Sequence, residues 1–257
     1  METILFSDIP VQELYLSPED EVSFRKLCRI LEEKNLSFLR GKLEELGNTP
    51  VMTVLFSGLP YGDMTEVLLQ LSRRSDMNLI QARTSSIRID SDNGIRDSIK
   101  GFFSEFSSSK EKRTIASIVN DVVLSDSSKE MLRTVSTIGD CISRELSHFR
   151  GILFLLTESR DFMSAELQDR FLFKVNFTEP SPSIMEKKWE HLSDGLLAEY
   201  APYLSRHFVL GTAQMKNVCT LVRIDYLLDG KLPPKETVIA YCSAETRKAR
   251  TSIGFIK

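Results

Sequence analysis

Cysteine and histidine are scarce in this sequence, and the few present do not cluster. Cys28, Cys141, Cys219 and Cys242 lie far apart with no C-x-x-C pair. This removes the usual zinc and dithiol spacings and reads as buried thiols in a reducing compartment. His148, His191 and His207 are isolated, so no metal-ligand pattern forms. No apolar run reaches the ~20 residues of a membrane span. The N-terminal METILFSDIP has no basic stretch ahead of a long apolar segment, so no signal peptide is expected and a cytoplasmic location is. An excess of either charge is also missing: 33 Lys and Arg against 36 Asp and Glu give a net charge of −3. No basic field invites nucleic acid. Asp90-Ser91-Asp92-Asn93-Gly94 hints at a calcium loop, but such a loop needs glycine at its sixth position and a carboxylate at its twelfth. Gly94 is fifth counting from Asp90, and Gly101 stands twelfth.

What remains is an ordinary globular composition, 42% apolar and 27% charged over 257 residues. That length suffices for one large domain or two small ones with a sizeable core. The chain is organised around residues 51–71, VMTVLFSGLPYGDMTEVLLQL. An apolar run from Val51 to Phe56 stops at Ser57-Gly58. A loop of residues 58–65 follows, then Val67, Leu68 and Leu71 at helical spacing. Strand, glycine-bearing loop and helix is the layout of a phosphate-binding P-loop, G-x-x-x-x-G-K-[ST].

Much of that loop's chemistry is missing. A P-loop holds phosphates with successive backbone N–H groups at a helix start. Its glycines let the backbone approach the anion, and its lysine adds a point charge. Here Asp63 stands at the last glycine and Met64 at the lysine. The site is two charge units worse for a polyphosphate, and one contact charge pair is worth about 4 kcal/mol at an effective dielectric of ~20. Only Thr65, at the magnesium-ligand position, keeps its type.

The remaining elements read in order. Residues 1–16 form a short extended lead-in. Ser17-Pro18-Glu19-Asp20 starts a helix running to about Glu33, with Val22, Leu27 and Leu31 inward. A second helix, Ser37 to Leu46, carries Leu39, Leu43 and Leu46 and stops at Gly47. A strand at Leu79–Ala82 precedes a polar stretch over 83–97. Ile95 to Phe106 reads as a helix with Ile95, Ile99, Phe102, Phe103 and Phe106 inward, and Ser107–Arg113 as a solvated connection. TIASIVNDVVL from Thr114 contains a buried strand ending at Asn120-Asp121. Residues 129–149 place Leu132, Val135, Ile138, Ile142, Leu146 and Phe149 on one helical face. Gly151–Thr157 is a continuous apolar run, as a parallel strand covered on both sides requires. Phe171–Phe177 alternates and suits an outer strand. From Thr178 the pattern is helical: Ser183 to His191, Asp194 to Ser205, Ala213 to Leu228 ended by Asp229-Gly230, and a last helix after Pro233-Pro234. Alternating strands and helices, then helices alone, predict a parallel α/β domain followed by a helical one.

Over essentially its whole length the chain resembles the AAA family of P-loop ATPases, in the stand-alone bacterial form with a short helical N-terminal extension. VLFSGLPYGDMTEVLLQLSRRSDMNLIQARTSSIR is similar to that family's first strand, P-loop, helix and second strand. RFLFKVNFTEPSP is similar to the strand after its arginine region, and GTAQMKNVCTLVRIDYLL to the lid helix carrying a sensor near the γ-phosphate. The resemblance implies an α/β fold, a P-loop NTPase-like parallel sheet flanked by helices, plus a small all-helical C-terminal lid. Residues 1–177 would form the core, with residues 1–47 as its extension, and 178–257 the lid.

The resemblance also assigns positions, and the departures fall on the chemistry. The P-loop positions are Gly58, Pro60, Tyr61, Gly62, Asp63, Met64 and Thr65, with Tyr61 replacing a further glycine. The Walker B acids become Asn120, which brings no charge to a metal, and Asp121, a short substitute for the general-base glutamate. The sensor asparagine is Glu158, whose charge opposes a γ-phosphate. Of two arginines that reach a neighbouring subunit's nucleotide, only Arg170 remains, beside Asp169. The lid sensor position holds Gln214, and the pore aromatic falls near Ser91. These substitutions predict a protein that keeps the fold without hydrolysis: a non-catalytic interaction or regulatory module with no cofactor, monomeric or weakly oligomeric alone. Its partner would be a protein, an active AAA paralogue being one form. The alternative is a residual binder of ATP or ADP with magnesium and slow hydrolysis, with Arg73, Arg74 or Arg170 supplying the lost charge. In the plain structural reading, Tyr61 packs over the loop, Asp63 caps a helix starting at Met64, Met64 fills space, and Glu158 and Asp169 are exposed carboxylates without a role.

Overall fold

The structure is a computed structural model that describes residues 1–46, 51–87, 91–108, 113–121, 129–158, 160 and 163–252. Gly47, Asp90, residues 109–112 and the expected strand end at Leu124 lie outside them, as does the side chain of Leu132. The chain divides into two compact units. Met1–Glu13, Pro18–Val122 and Ser127–Phe177 form one; Leu14–Ser17 and the chain from Thr178 belong to the other.

The first unit is built on a six-stranded sheet. Its strands are β1 (Glu2–Ile4), β2 (Met52–Ser57), β3 (Asn78–Arg83), β4 (Thr114–Val119), β5 (Ile152–Thr157) and β6 (Phe173–Asn176), in the spatial order β1-β3-β4-β5-β2-β6. β3, β4, β5, β2 and β6 run parallel, and only β1 is antiparallel, pairing Glu2 with Gln81 through Ile4 with Leu79. Every residue of β2, β4 and β5 is buried. Helices must therefore cover both faces, and the apolar runs in the sequence have this as their cause. β6 alternates between half-buried and exposed at the sheet edge, as its alternating sequence predicts.

Among the described residues six α-helices accompany the sheet: α1 (Pro18–Leu31), α2 (Glu33–Glu45), α3 (Tyr61–Arg74), α4 (Asp92–Ser108), α5 (Lys129–Leu146) and α6 (Ala165–Asp169). The inward rows of α4 and α5, including Ile99, Phe103, Ile138 and Ile142, pack with Leu55, Ile118, Leu153 and Leu155 of the strands. α3 packs against β3, β5 and α1. In α1 the buried stripe is Phe24, Leu27 and Leu31, whereas Val22, expected inward, is 67% exposed. Two residues along a helix turn the side chain by about 200°, so Val22 and Phe24 cannot share a face. α2 begins at Glu33, earlier than expected, and leaves Leu46 exposed.

The topology singles out one edge. β2 leads through α3 to β3, which lies beyond β5 and β4. β5 leads through α6 to β6, on the other side of β2. The chain thus departs in opposite directions from the carboxyl ends of β2 and β5, and such a switch point is where open α/β sheets form their binding crevices.

The second unit is helical: α7 (Pro182–Leu192), α8 (Ala201–His207), α9 (Thr212–Asp229) and α10 (Lys235–Ser252). Trp189, Met215, Val218, Cys219 and Cys242 are fully or nearly fully enclosed in one core. Gly230, at φ 65°, closes α9 in the left-handed conformation expected of a helix stop. The helix expected from Asp194 to Ser205 is shorter, because Asp194 and Gly195 adopt φ 51° and 81°, which helical backbone does not allow. Among the described residues, no helix is long and apolar enough to cross a membrane.

Candidate functional site

The loop leaving β2 starts with a conformational requirement. Gly58 has φ +97°, and a Cβ there would collide with the backbone carbonyl oxygen of Phe177. α3 then begins at Tyr61 with Pro60 at its N-cap. The amides of Asp63 and Met64 both bond to the Pro60 carbonyl, at 3.0 and 3.1 Å. The helix therefore starts three residues before Met64, and Asp63 sits in its first turn rather than capping it. Amides that a P-loop turns toward phosphate are here closed on the chain's own carbonyl. Met64 is fully buried, and the hydroxyl of Thr65 is enclosed without a hydrogen-bond partner among the described residues.

Glu158, directly after β5, fastens this loop. Its carbonyl accepts the Gly58 N–H at 3.4 Å, and its carboxylate accepts the Tyr61 N–H at 3.1 Å. A carboxylate at a helix N-terminus is favourably placed, because unpaired amides and the helix dipole meet a negative charge. Glu158, an opposing charge in the resemblance and a carboxylate without a role in the plain reading, thus gives the first amide of α3 its acceptor. The Tyr61 phenol donates to the backbone carbonyl of Asn120 at the end of β4. Burial, with the nearby Glu158 and Asp121 charges adding to it, pushes this phenol up to about 12.

Asp121 is committed elsewhere. Its carboxylate accepts the Ser85 amide and the Ser85 hydroxyl, both at 2.9 Å, and the Thr84 hydroxyl at 3.1 Å, with Arg83 at 3.4 Å. Burial alone would raise its pKa, but these bonds outweigh it and hold the carboxyl below the usual range. It pins the turn at Thr84–Ser86 onto the end of β4. Its oxygens are thus engaged by the turn.

One residue of this edge was missed in the sequence. Arg160 donates from Nε to the Ser57 hydroxyl at 2.7 Å, and Ser57 in turn donates to Asn176 Oδ1 at 2.9 Å. The Arg160 Nη2 is shut off from solvent and meets no hydrogen-bond partner among the described residues. An arginine three residues past the end of a central strand was the available signal. The other expected cations stand apart. Arg74 lies over the Phe24 ring, 5.1 Å from its centroid. It ends α3, some 20 Å from the loop for a helix of 14 residues rising ~1.5 Å each. Arg170 is at the opposite end of β6, bonded to Ser147 at 3.2 Å and paired with Glu166 at 3.5 Å, while Asp169 pairs with Lys174. Gln214, in the helical unit, accepts the Gly211 amide and donates to the Glu245 carbonyl, each at 2.9 Å, and so ties the start of α9 to α10. Ser91 caps the start of α4 by accepting the Gly94 amide at 3.0 Å.

Residues 58–65, Asn120, Asp121 and Glu158 thus come together at the switch point, Arg170 stands at the opposite end of β6, and Gln214 belongs to the helical unit. The assembled residues do not fit a magnesium-bound polyphosphate: Met64 is apolar and fully buried, the Glu158 carboxylate accepts the Tyr61 amide, and the Asp121 carboxylate is bonded to the turn at Thr84–Ser86.

The sheet order and the loop position define a P-loop NTPase-like fold of the AAA type. The crystal structure of the FIGL-1 AAA domain is similar to it, with a TM-score of 0.62 at 14% identity, covering 95% of this chain and 85% of that one. No protein-family model and no curated protein matches the sequence.

Proposed function

We propose that this chain is an AAA ATPase-like protein that no longer hydrolyses ATP and works as a non-catalytic interaction or regulatory module. The supporting observation is the Glu158 carboxylate on the Tyr61 amide, 3.1 Å away in the first turn of α3. A triphosphate would have to displace this charge without a lysine to compensate. The test is isothermal titration of ATP and ADP with magnesium into the purified protein, paired with a phosphate-release assay. Absence of binding heat and of hydrolysis is expected; saturable binding, or hydrolysis above a Met64→Ala control, overturns the proposal.

Such a module acts through a protein partner, for which an active AAA paralogue is one form, and needs no cofactor. Its four free cysteines suit a reducing bacterial cytoplasm. Arg170 is held by Ser147 and Glu166 of its own chain, which supports a monomer or weak oligomer in isolation. The second reading, a residual binder of ATP or ADP, is favoured by the unpartnered Arg160 Nη2 and Thr65 hydroxyl, and the same titration separates the two.

A further inference from the structure

We infer that the outward face of α9 is a contact surface for a second copy of this chain, which closes a weak antiparallel dimer through Leu221, Ile224, Leu227 and Leu228. The contact is independent of the chemistry of the loop after β2, and it identifies the weak oligomer of the reading above.

α9 is apolar on two faces. Its inner face, Met215, Val218, Cys219 and Val222, is fully enclosed in the core of the helical unit. A helix that buries one face normally turns charge to water on the other. At 3.6 residues per turn, the stripe of α9 within about 60° of Ile224 holds no charged residue anywhere along the helix. In its second half the stripe is wholly apolar: Leu221, Ile224, Leu227 and Leu228 are 38%, 46%, 80% and 78% exposed. Single exposed apolar residues are ordinary, whereas a contiguous group on one face marks a contact.

Area and charge name the occupant. The four side chains present apolar surface on the order of 400 Å². One side of a standard contact buries ~800 Å², of which about 65% is apolar in homodimers, or roughly 500 Å². The ridge is therefore large enough for a weak dimer and too small for an obligate one. It is also complementary to itself. Laid antiparallel across a two-fold axis at Ile224, Leu221 of each copy meets Leu227 of the other. This arrangement brings Lys216 of one copy toward Asp229 of the other and opposes the two helix dipoles. A parallel arrangement sets like charges and like dipole ends together. Because both copies use the same patch, the contact closes at two.

The test is sedimentation equilibrium of the whole chain over a range of concentrations. Wild type is expected to pass from one copy to two, with half-association on the order of 10–100 μM. Leu227→Lys combined with Leu228→Lys is expected to weaken this more than about tenfold, since it buries charge in the contact. Val209→Lys, 72% exposed but outside the stripe, is expected to leave it unchanged. Leu221→Glu and Leu227→Lys should each weaken association alone, and their equimolar mixture should regain it as a mixed dimer, because the two positions face each other across the axis. A cooperative thermal melt confirms that each variant is folded. A wild type that remains monomeric at ten times the expected midpoint overturns the inference and leaves the ridge to a protein of different sequence. Equal association of wild type and the Leu227→Lys, Leu228→Lys variant also overturns it, as does growth past two copies. A mixture no stronger than its components overturns the antiparallel two-fold. None of these outcomes bears on nucleotide binding, which the calorimetric titration decides by itself.

Discussion

The two glycines of the loop should respond to alanine with opposite signs. Gly58 is at φ +97°, where an alanine costs about 1–2 kcal/mol from the contact of its Cβ with its own backbone. The same Cβ would drive into the Phe177 carbonyl oxygen and lie 3.2 Å from both the Phe177 carbonyl carbon and Asn176 Oδ1. That carbonyl cannot retreat freely. The Phe177 amide is bonded to the Ser57 carbonyl at 2.8 Å, and its ring packs edge-on against Phe56 at 4.9 Å between centroids. Forcing the chain apart adds about 1–3 kcal/mol, the usual range for overpacking. The sum, ~2–5 kcal/mol, lowers the melting temperature by roughly 5–15 °C for a chain of this size. Gly62 is helical, and a Cβ there meets nothing within 4 Å. Gly62→Ala should therefore stabilise by ~0.5–1 kcal/mol through reduced freedom of the unfolded chain. Thermal unfolding followed by circular dichroism on both variants decides it. A Gly58→Ala protein melting within about 2 °C of wild type, or a Gly62→Ala protein that melts clearly lower, would refute the loop geometry on which the sealed site depends.

Three further outcomes are expected. An ultraviolet titration of the phenols should show a tyrosine ionising at about 12 that vanishes in Tyr61→Phe. Because folding raises this pKa above its ordinary value, the stabilisation by the Tyr61–Asn120 bond, about 0.5–1.5 kcal/mol, is complete below pH ~10 and lost as pH rises toward the folded value; a pH-independent gap between the two proteins contradicts it. Asp121→Asn should cost about 1–3 kcal/mol at neutral pH. Its carboxyl is depressed in the folded state, so that cost is present above the ordinary carboxylate pKa and shrinks as pH falls through the folded one, which denaturant melts at pH 7 and in acid can compare. Met64→Lys, which restores the motif's lysine, should not restore nucleotide binding and should destabilise by ~2 kcal/mol or more, since it places a cation where the native side chain is fully enclosed; calorimetry with magnesium-ATP and a thermal melt read both effects.

Much of the fold was legible because its causes are local. The continuous runs of β2, β4 and β5 and the three-and-four spacing of Ile95, Ile99, Phe102 and Phe106 state burial directly, and the structure buries those residues. The failures have equally local causes. Val22 is apolar but lies on the opposite face of the helix, and Phe24 sets the buried face at the proper spacing with Leu27 and Leu31. Asp194-Gly195 looked compatible with helix until the left-handed backbone at both residues appeared. β1 has only three residues and owes its existence to β3 beside it, a partner that no local pattern in residues 1–16 announces.

The site was legible only as a set of losses. Comparing 58–65 with a P-loop shows that the lysine is gone, but not what stands in the space it leaves. The contacts that fill it join residues remote in the chain: Tyr61 to Glu158 across 97 positions and Ser85 to Asp121 across 36. On sequence alone Glu158 was a charge that repels phosphate, and in the structure its carboxylate accepts the first amide of α3. The two have different physical consequences. Repulsion across solvent fades beyond about 8 Å at physiological ionic strength, so salt would weaken it. A carboxylate hydrogen-bonded to the helix start has to be displaced one for one, and simple screening leaves it there. Met64 brings no cation to this loop, and the Glu158 carboxylate gives the Tyr61 amide an acceptor from within the chain.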